Sequence, residues 1–296
     1  MLGSIHAVTT TVPDLAAIEA AYSRYLGYQT VTRGAVSADT AARWGAPAAA
    51  GSPYLIMMPE SGVAAYLRFV EAPAVPGWRA LRTHGWNATE LIIQDTDALA
   101  ERLKDSPFTI IGPPADLDGF PMIRAMQVVG PAGECLYLTR VGPGSGFDLP
   151  EAKSFVDRVF IAVIGTGDLA VAMEFYAGLG NPAGEPGTSR VSVLSVANDL
   201  PLETKYHLTM VSLAAGTLLE VDQYPENARP RPVPSGHLPP GMAIVTVGGA
   251  DLRDPALSGR FLAPPGFADM PPFSGRLAAT LRGPWGELIE LIEDFS

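Results

Sequence analysis

Two short patterns recur in this chain at nearly the same offset, and they constrain its fold more than any other feature. The first is Val12-Pro13-Asp14-Leu15, then Tyr22, then Leu26-Gly27. It returns as Thr166-Gly167-Asp168-Leu169, then Phe175-Tyr176, then Leu179-Gly180. In both copies a β-rich run leads into an Asp placed to cap a helix, an aromatic residue follows eight positions later, and Leu-Gly closes the helix. The second copy is one residue shorter between aromatic and Leu. The other pattern is Gly130-Pro131-Ala132-Gly133-Glu134-Cys135-Leu136-Tyr137-Leu138, matched by Gly283-Pro284-Trp285-Gly286-Glu287-Leu288-Ile289-Glu290-Leu291. Two separate patterns sharing one offset imply a tandem duplication.

Each half divides again. Alternation and β-branched content predict strands over residues 5–12, 28–32, 54–58 and 65–70, with an amphipathic helix over 14–26 and a short one over 37–44. The order repeats as strand 88–93, helix 96–103, and strands 109–111, 123–129 and 135–139. A Gly-Pro-rich linker over 142–156 separates an N-terminal domain, 1–141, from a C-terminal domain, 157–296. There the pattern resumes with strand 159–164, helix 168–179 and strands 191–196, 207–212 and 218–223. A Pro-rich surface crossing over 225–240 leads to strand 242–247, a poor helix after Asp251, and strands 260–262, 276–281 and 288–292. The prediction is an α+β chain of four βαβββ modules, two per half, each half closing into one open cupped barrel.

Composition narrows the function. At 296 residues the length fits two domains. A net charge of -11 without a Lys/Arg cluster disfavours nucleic acid, whose phosphates need a basic face. A single cysteine, Cys135, excludes an internal disulfide. The start, Met1-Leu2-Gly3-Ser4, lacks the basic region of a secretory leader, and no apolar run reaches membrane-spanning length. The expectation is a cytoplasmic monomer or homodimer whose partner is a small molecule, with no nucleic acid and no membrane.

The four modules, the helix opening around Val12-Pro13-Asp14-Leu15 and the strand around Gly130-Pro131-Ala132-Gly133-Glu134 resemble the vicinal oxygen chelate superfamily of glyoxalases, bleomycin-resistance proteins and extradiol dioxygenases. The resemblance implies that two modules pair around one pocket, with a metal held by residues on the first and last strand of each module. Carried across, the first-strand histidine position falls on Ala7, Ala88, Ile161 and Met242. The last-strand acidic position falls on Arg68, Tyr137, Glu220 and Glu290. No histidine occupies the first-strand position, so the expectation is no His-ligated metal and no other cofactor. Glu220 and Glu290 are the fallback ligands should a divalent metal bind.

The N-terminal half carries the other candidates. Arg68 replaces a ligand carboxylate, Tyr137 replaces another, and Glu90 shares the inward face of its strand with Ala88. In one cup, Arg68 would pair with a carboxylate or enolate oxygen, Glu90 would transfer a proton and Tyr137 would donate a hydrogen bond. The alternative is that Arg68 and Glu90 form an internal salt bridge. Strand parity points His6 to the helix layer unless a bulge turns it inward. Trp44, Tyr54, Trp86, Met57, Met122 and Met126 are candidates to line the cavity or to be core. The function expected is proton-transfer chemistry, of lyase or isomerase type, on a small oxygenated metabolite, aromatic ones included. The alternatives are sequestration of a small molecule without chemistry, and ring cleavage by a divergent extradiol dioxygenase.

Overall fold

The computed structural model describes residues 1–249, 251–254, 257 and 259–293. Module 1 comprises β1 (Ile5–Val12), α1 (Leu15–Ala21), β2 (Gln29–Ala35), α2 (Ala38–Arg43), β3 (Pro53–Met58) and β4 (Tyr66–Glu71). Module 2 comprises β5 (Gly85–Ile93), α3 (Thr96–Leu103), β6 (Thr109–Leu117), β7 (Phe120–Val129) and β8 (Cys135–Val141). Module 3 comprises β9 (Val156–Thr166), α4 (Leu169–Ala177), β10 (Gly187–Arg190), α5 (Ser192–Ala197), β11 (Lys205–Ser212) and β12 (Leu218–Gln223). Module 4 comprises β13 (Gly241–Val247), β14 (Gly266–Phe267), β15 (Leu277–Arg282) and β16 (Leu288–Ile292).

The repeated residues act as their chemistry predicts. Asp14, Asp95 and Asp168 have extended backbones, and each accepts a hydrogen bond from a backbone N–H in the first turn of its helix. The extra residue in the first copy of the helix pattern is absorbed as a π-helical turn over Tyr22–Leu26, closed by Gly27 in the left-handed region (φ 74°). In place of the strand predicted over residues 191–196, Ser192–Ala197 form α5. The alternation of Val and Ser there suits a strand locally, but Val193 and Leu194 are buried in an apolar cluster and the buried Ser195 hydroxyl meets that of Tyr206 at 2.9 Å. Tertiary packing outweighs propensity at this site. The poor helix expected after Asp251 falls partly on residues outside the described set; Leu252 and Arg253 lie in a turn.

The strands form two eight-stranded sheets, ordered β14-β15-β16-β13-β1-β4-β3-β2 and β10-β11-β12-β9-β5-β8-β7-β6. This corrects the expected pairing of modules. Module 1 closes a cup with module 4, and module 2 closes one with module 3, so each cup takes one module from each half of the chain. The seams are antiparallel, β1 against β13 and β5 against β9. The sequence shows which residues repeat but carries no signal for which module meets which.

On the outer, helix-packed faces the two sheets share one apolar core, containing Met57, Phe69, Trp86, Leu91 and Met126. Trp86 Nε1 donates to the Leu288 carbonyl at 2.8 Å, joining one sheet to the other. Met242, taken as an inward first-strand position, belongs to this shared core and accepts from Thr89. Ile244, which pairs with Leu288 as Ala7 pairs with Tyr66, is the inward residue. Among the described residues no helix is long and apolar enough to cross a membrane.

Candidate functional site

The middle four strands of the two sheets correspond: β16-β13-β1-β4 in cup 1 and β12-β9-β5-β8 in cup 2. The parallel registers Thr9 to Arg68 and Thr246 to Glu290 set cup 1, and Glu90 to Tyr137 and Val163 to Glu220 set cup 2. Glu290 thus corresponds to Glu220, Thr246 to Val163, Thr9 to Glu90 and Arg68 to Tyr137. The candidate residues are divided between two cups. Arg68 does not meet Glu90 or Tyr137, and the expected single constellation is corrected because β4 and β5 lie in different sheets.

Cup 1 is closed around an ion pair. Arg68 Nη2 donates to Glu290 Oε2 at 2.7 Å and Nε donates to Thr9 at 2.7 Å, while the guanidinium carbon lies 4.7 Å from the Trp44 ring centre. Trp44 Nε1 donates to Glu290 Oε1 at 2.7 Å and Thr246 donates to Oε2 at 2.6 Å. Burial pushes the Glu290 carboxyl up, but the Arg68 charge and these hydrogen bonds outweigh it and hold it below the usual range. Trp44, Tyr54, Ile56 and Met270 pack in the same cluster and fill the cup. His6 is half-buried on β1 with its ring 6.1 Å from that of Phe273, and so belongs to cup 1 rather than to the strands of Glu90 and Tyr137.

Cup 2 is built differently. Glu90 Oε1 accepts from Thr139 at 2.5 Å, and burial together with the negative field of Glu220 pushes the Glu90 carboxyl up to about 8, against the effect of that bond. Asp222 follows Glu220 by two residues and shares its face. Among the described residues neither Asp222 oxygen meets a donor. The neighbouring group is the Glu220 carboxyl, so the two satisfy each other only by sharing a proton. Burial raises both, Asp222 to about 7, and they titrate as a pair. The buried hydroxyls of Tyr137 and Tyr224 also have no partner among the described residues. Both feel the negative field of Asp222 and Glu220. Tyr224 lies across Gly165, where a Cβ would come within 2.7 Å of its ring.

The sequence analysis missed Asp222 and Tyr224. The alternation Glu220-Val221-Asp222-Gln223-Tyr224 was a usable signal, since it sets three polar groups on one strand face. Each cup adjoins a cavity. One of about 460 Å³ shares Leu81 and Val193 with the apolar cluster of cup 2, and Trp78, Arg79 and Val196 also line it. The other, about 470 Å³, shares Trp44, Ala243 and Leu288 with cup 1. Of the other residues expected around a cavity, Tyr54 packs in cup 1, Trp86, Met57 and Met126 are core between the sheets, and Met122 is exposed.

Two superpositions over nearly the full chain place this architecture. Glyoxalase I from Zea mays matches with a TM-score of 0.64 at 17% identity, over 98% of this chain and 92% of that one. A putative dioxygenase from Bacillus subtilis matches with a TM-score of 0.59 at 14% identity, over 100% and 86%. The chain has the vicinal oxygen chelate fold. No family model matches the sequence, and no curated protein matches it.

The fold implies a divalent metal between first-strand and last-strand ligands, and the residues present do not fit one. In cup 1 a guanidinium already holds Glu290. In cup 2 the first-strand positions are Ala88 and Ile161, and among the described residues no three His, Cys, Asp or Glu side chains converge as ligands.

Proposed function

We propose that cup 2 is the functional site and that it binds a small oxygenated metabolite and moves a proton on it, in chemistry of lyase or isomerase type. The observation carrying this reading is the pair of buried hydroxyls in cup 2, those of Tyr137 and Tyr224, that lack partners among the described residues, beside an Asp222 carboxyl whose neighbouring group is Glu220. A buried donor or acceptor left unmade costs about 1–3 kcal/mol, so two of them in one cup favour a bound molecule that completes their hydrogen bonds. The cavity of about 460 Å³ touches the apolar cluster of this cup at Leu81 and Val193 but is lined by none of these polar groups.

Glu90 is the proton-transfer group in this reading. Its carboxyl, raised to about 8, exchanges protons near neutral pH, where general acid-base catalysis is most effective. The ionised form takes a proton from a carbon next to a carbonyl. The Tyr137 hydroxyl donates to the oxygen where charge develops, and on an α-hydroxycarbonyl the protonated Glu90 returns the proton to the former carbonyl carbon while the hydroxyl proton passes from the α-oxygen to the former carbonyl oxygen, leaving the carbonyl one carbon over. This sequence balances without a co-reactant. Arg68 and Glu290 serve the stability of cup 1.

The test is hydrogen exchange. Small carbonyl and hydroxycarbonyl compounds incubated with the protein in D2O should show enzyme-dependent deuterium incorporation by NMR. Glu90→Gln should remove the exchange while the ligand-induced thermal shift persists. Exchange at the wild-type rate in Glu90→Gln would exclude Glu90, and a thermal shift without exchange would leave cup 2 a binding site without chemistry.

A further inference from the structure

The two cups differ in their central groups. In cup 1 the carboxylate of β16 is met by a guanidinium from β4, the two being Glu290 and Arg68 at 2.7 Å. In cup 2 the carboxylate survives as Glu220, but the guanidinium position is Tyr137, the position of Thr9 has become Glu90, and that of Ile292 has become Asp222. Cup 2 therefore places three acidic side chains where cup 1 has one, and has no counterpart of the Arg68 guanidinium; the half-buried Arg231, whose charge Tyr224 feels, donates to the backbone carbonyls of Trp86, Pro240 and Met242.

A second observation points to something that enters from outside. Tyr137 and Tyr224 are 6% and 4% exposed, yet their hydroxyls, in the field of Asp222 and Glu220, have no hydrogen-bond partners among the described residues. Glu220 is half-buried, the most exposed of the polar groups on this wall. We propose that cup 2 binds a small organic cation, a guanidinium or ammonium group on a short apolar body, seated on Glu220 and Asp222 where Arg68 seats its guanidinium on Glu290 in cup 1. This rests on the reading of cup 2 as the ligand site and names the chemical class it selects.

The chemistry favours an organic cation over a metal ion. The carboxyl groups of cup 2 do not converge with a third ligand among the described residues. Carboxylates and phenol oxygens at hydrogen-bonding distance from a flat or tetrahedral nitrogen suit N–H donors. Cup 1 shows the same strand positions accommodating a guanidinium with a hydroxyl at its Nε and a carboxylate at its Nη2. A neutral alcohol of equal size satisfies fewer acceptors, and an anion meets like charge.

The experiment is isothermal titration calorimetry of the full chain with butylguanidinium, butylammonium, 1-pentanol, pentanoate and Zn(II). The two organic cations should bind, and the alcohol, the carboxylate and the metal should not. Glu220→Gln, which mimics the protonated carboxyl and keeps its shape, should weaken the cations by about tenfold or more, the scale of a lost charge-assisted bond. The double variant Glu90→Thr/Tyr137→Arg rebuilds the centre of cup 1 inside cup 2 and should abolish their binding while circular dichroism shows a folded protein. Should that variant not fold, the Glu220→Gln titration decides alone. Wild-type affinity for butylguanidinium in either folded variant overturns the proposal. If pentanoate or pentanol binds instead and Glu220→Gln removes that binding, cup 2 is a ligand site but its assignment to cations is wrong. If no probe responds to Glu220→Gln or Glu90→Gln, the reading of cup 2 as the site fails too. Tight Zn(II) binding without binding of the organic cations overturns the organic class.

Discussion

The Tyr22 hydroxyl donates to Glu134 Oε1 at 2.9 Å across 112 residues of sequence. These are the aromatic of one repeated pattern and the acid of the other, so the two patterns that reveal the duplication are the two sides of a single contact. The second Glu134 oxygen accepts the Ala132 N–H at 2.9 Å, and a Cβ at Gly130 would collide with the folded-back carboxylate. The motif needs its first glycine for that reason. In the other half the Trp285 N–H donates to Glu287 at 2.9 Å, and a Cβ at Gly283 would collide in the same way. The Tyr176 hydroxyl and the remaining Glu287 oxygen face each other with looser geometry and no other partner among the described residues. These contacts tie module 1 to module 2 and module 3 to module 4 through the helix layer, while the sheets join module 1 to module 4 and module 2 to module 3.

Tyr22→Phe should destabilise the protein by about 1–3 kcal/mol, the range for a buried acceptor losing its donor. Burial raises the Glu134 carboxyl to about 7 and the Tyr22 bond opposes that rise by favouring the ionised form. The loss should therefore be larger at pH 8.5 than at pH 5.5. Urea melts at the two pH values check this, and an equal loss at both would show that the bond does not serve the charged carboxylate.

Stability should fall as pH rises through neutrality. Burial raises Glu90 to about 8 and Asp222, Glu134 and Glu287 to about 7, so the folded state holds protons that the unfolded chain releases near its ordinary carboxylate values. Stability from such groups is fully present below about pH 4 and is lost as pH rises through about 7 to 8. Glu290 is shifted the other way and loses its contribution in acid. A maximum in Tm near pH 4 to 5, with a decline that levels off above about pH 8, is the expected profile. A Tm flat from pH 6 to 9 would mean that these carboxyls are relaxed and solvated.

How much of this was legible in the sequence depends on the range of the interaction. The Asp caps, the closing Gly27 and the four modules are local and could be read from spacing. The π-helical turn at Tyr22 was legible as one extra residue. What meets what across the chain was not. Arg68 and Glu90 were each placed on an inward face, but strand parity assigns a face and says nothing about which sheet a strand joins. Arg68 therefore finds Glu290, far along the chain, and Glu90 finds Glu220. Helix α5 was misread because Val and Ser alternate there, while the cup it fills belongs to tertiary structure.

Replacing Arg68 separates the roles of the two cups. Arg68→Met leaves Glu290 buried without its cation and should cost about 3–5 kcal/mol. Adding Glu290→Leu removes the stranded charge and should recover much of that loss, since contacting residues are not additive. Ligand binding in cup 2 should be unchanged in the double variant. A double variant as unstable as Arg68→Met alone would show that the cup depends on packing around the guanidinium rather than on charge pairing.

The crossed pairing gives the final prediction. A fragment of residues 1–149 keeps modules 1 and 2 but strips β1 of β13 and β5 of β9, exposing two central strand edges. Every residue of β5 is buried in the intact chain, so the fragment exposes both of its faces and leaves that edge open to pairing with another strand. The fragment also leaves Arg68 without Glu290 and Glu90 without Glu220. It should be insoluble or self-associated when expressed alone, and should form a one-to-one complex when co-expressed with residues 150–296. Size-exclusion chromatography with light scattering measures this directly. A folded, monodisperse monomer of the fragment would show that each half closes its own cup and would overturn the crossed arrangement.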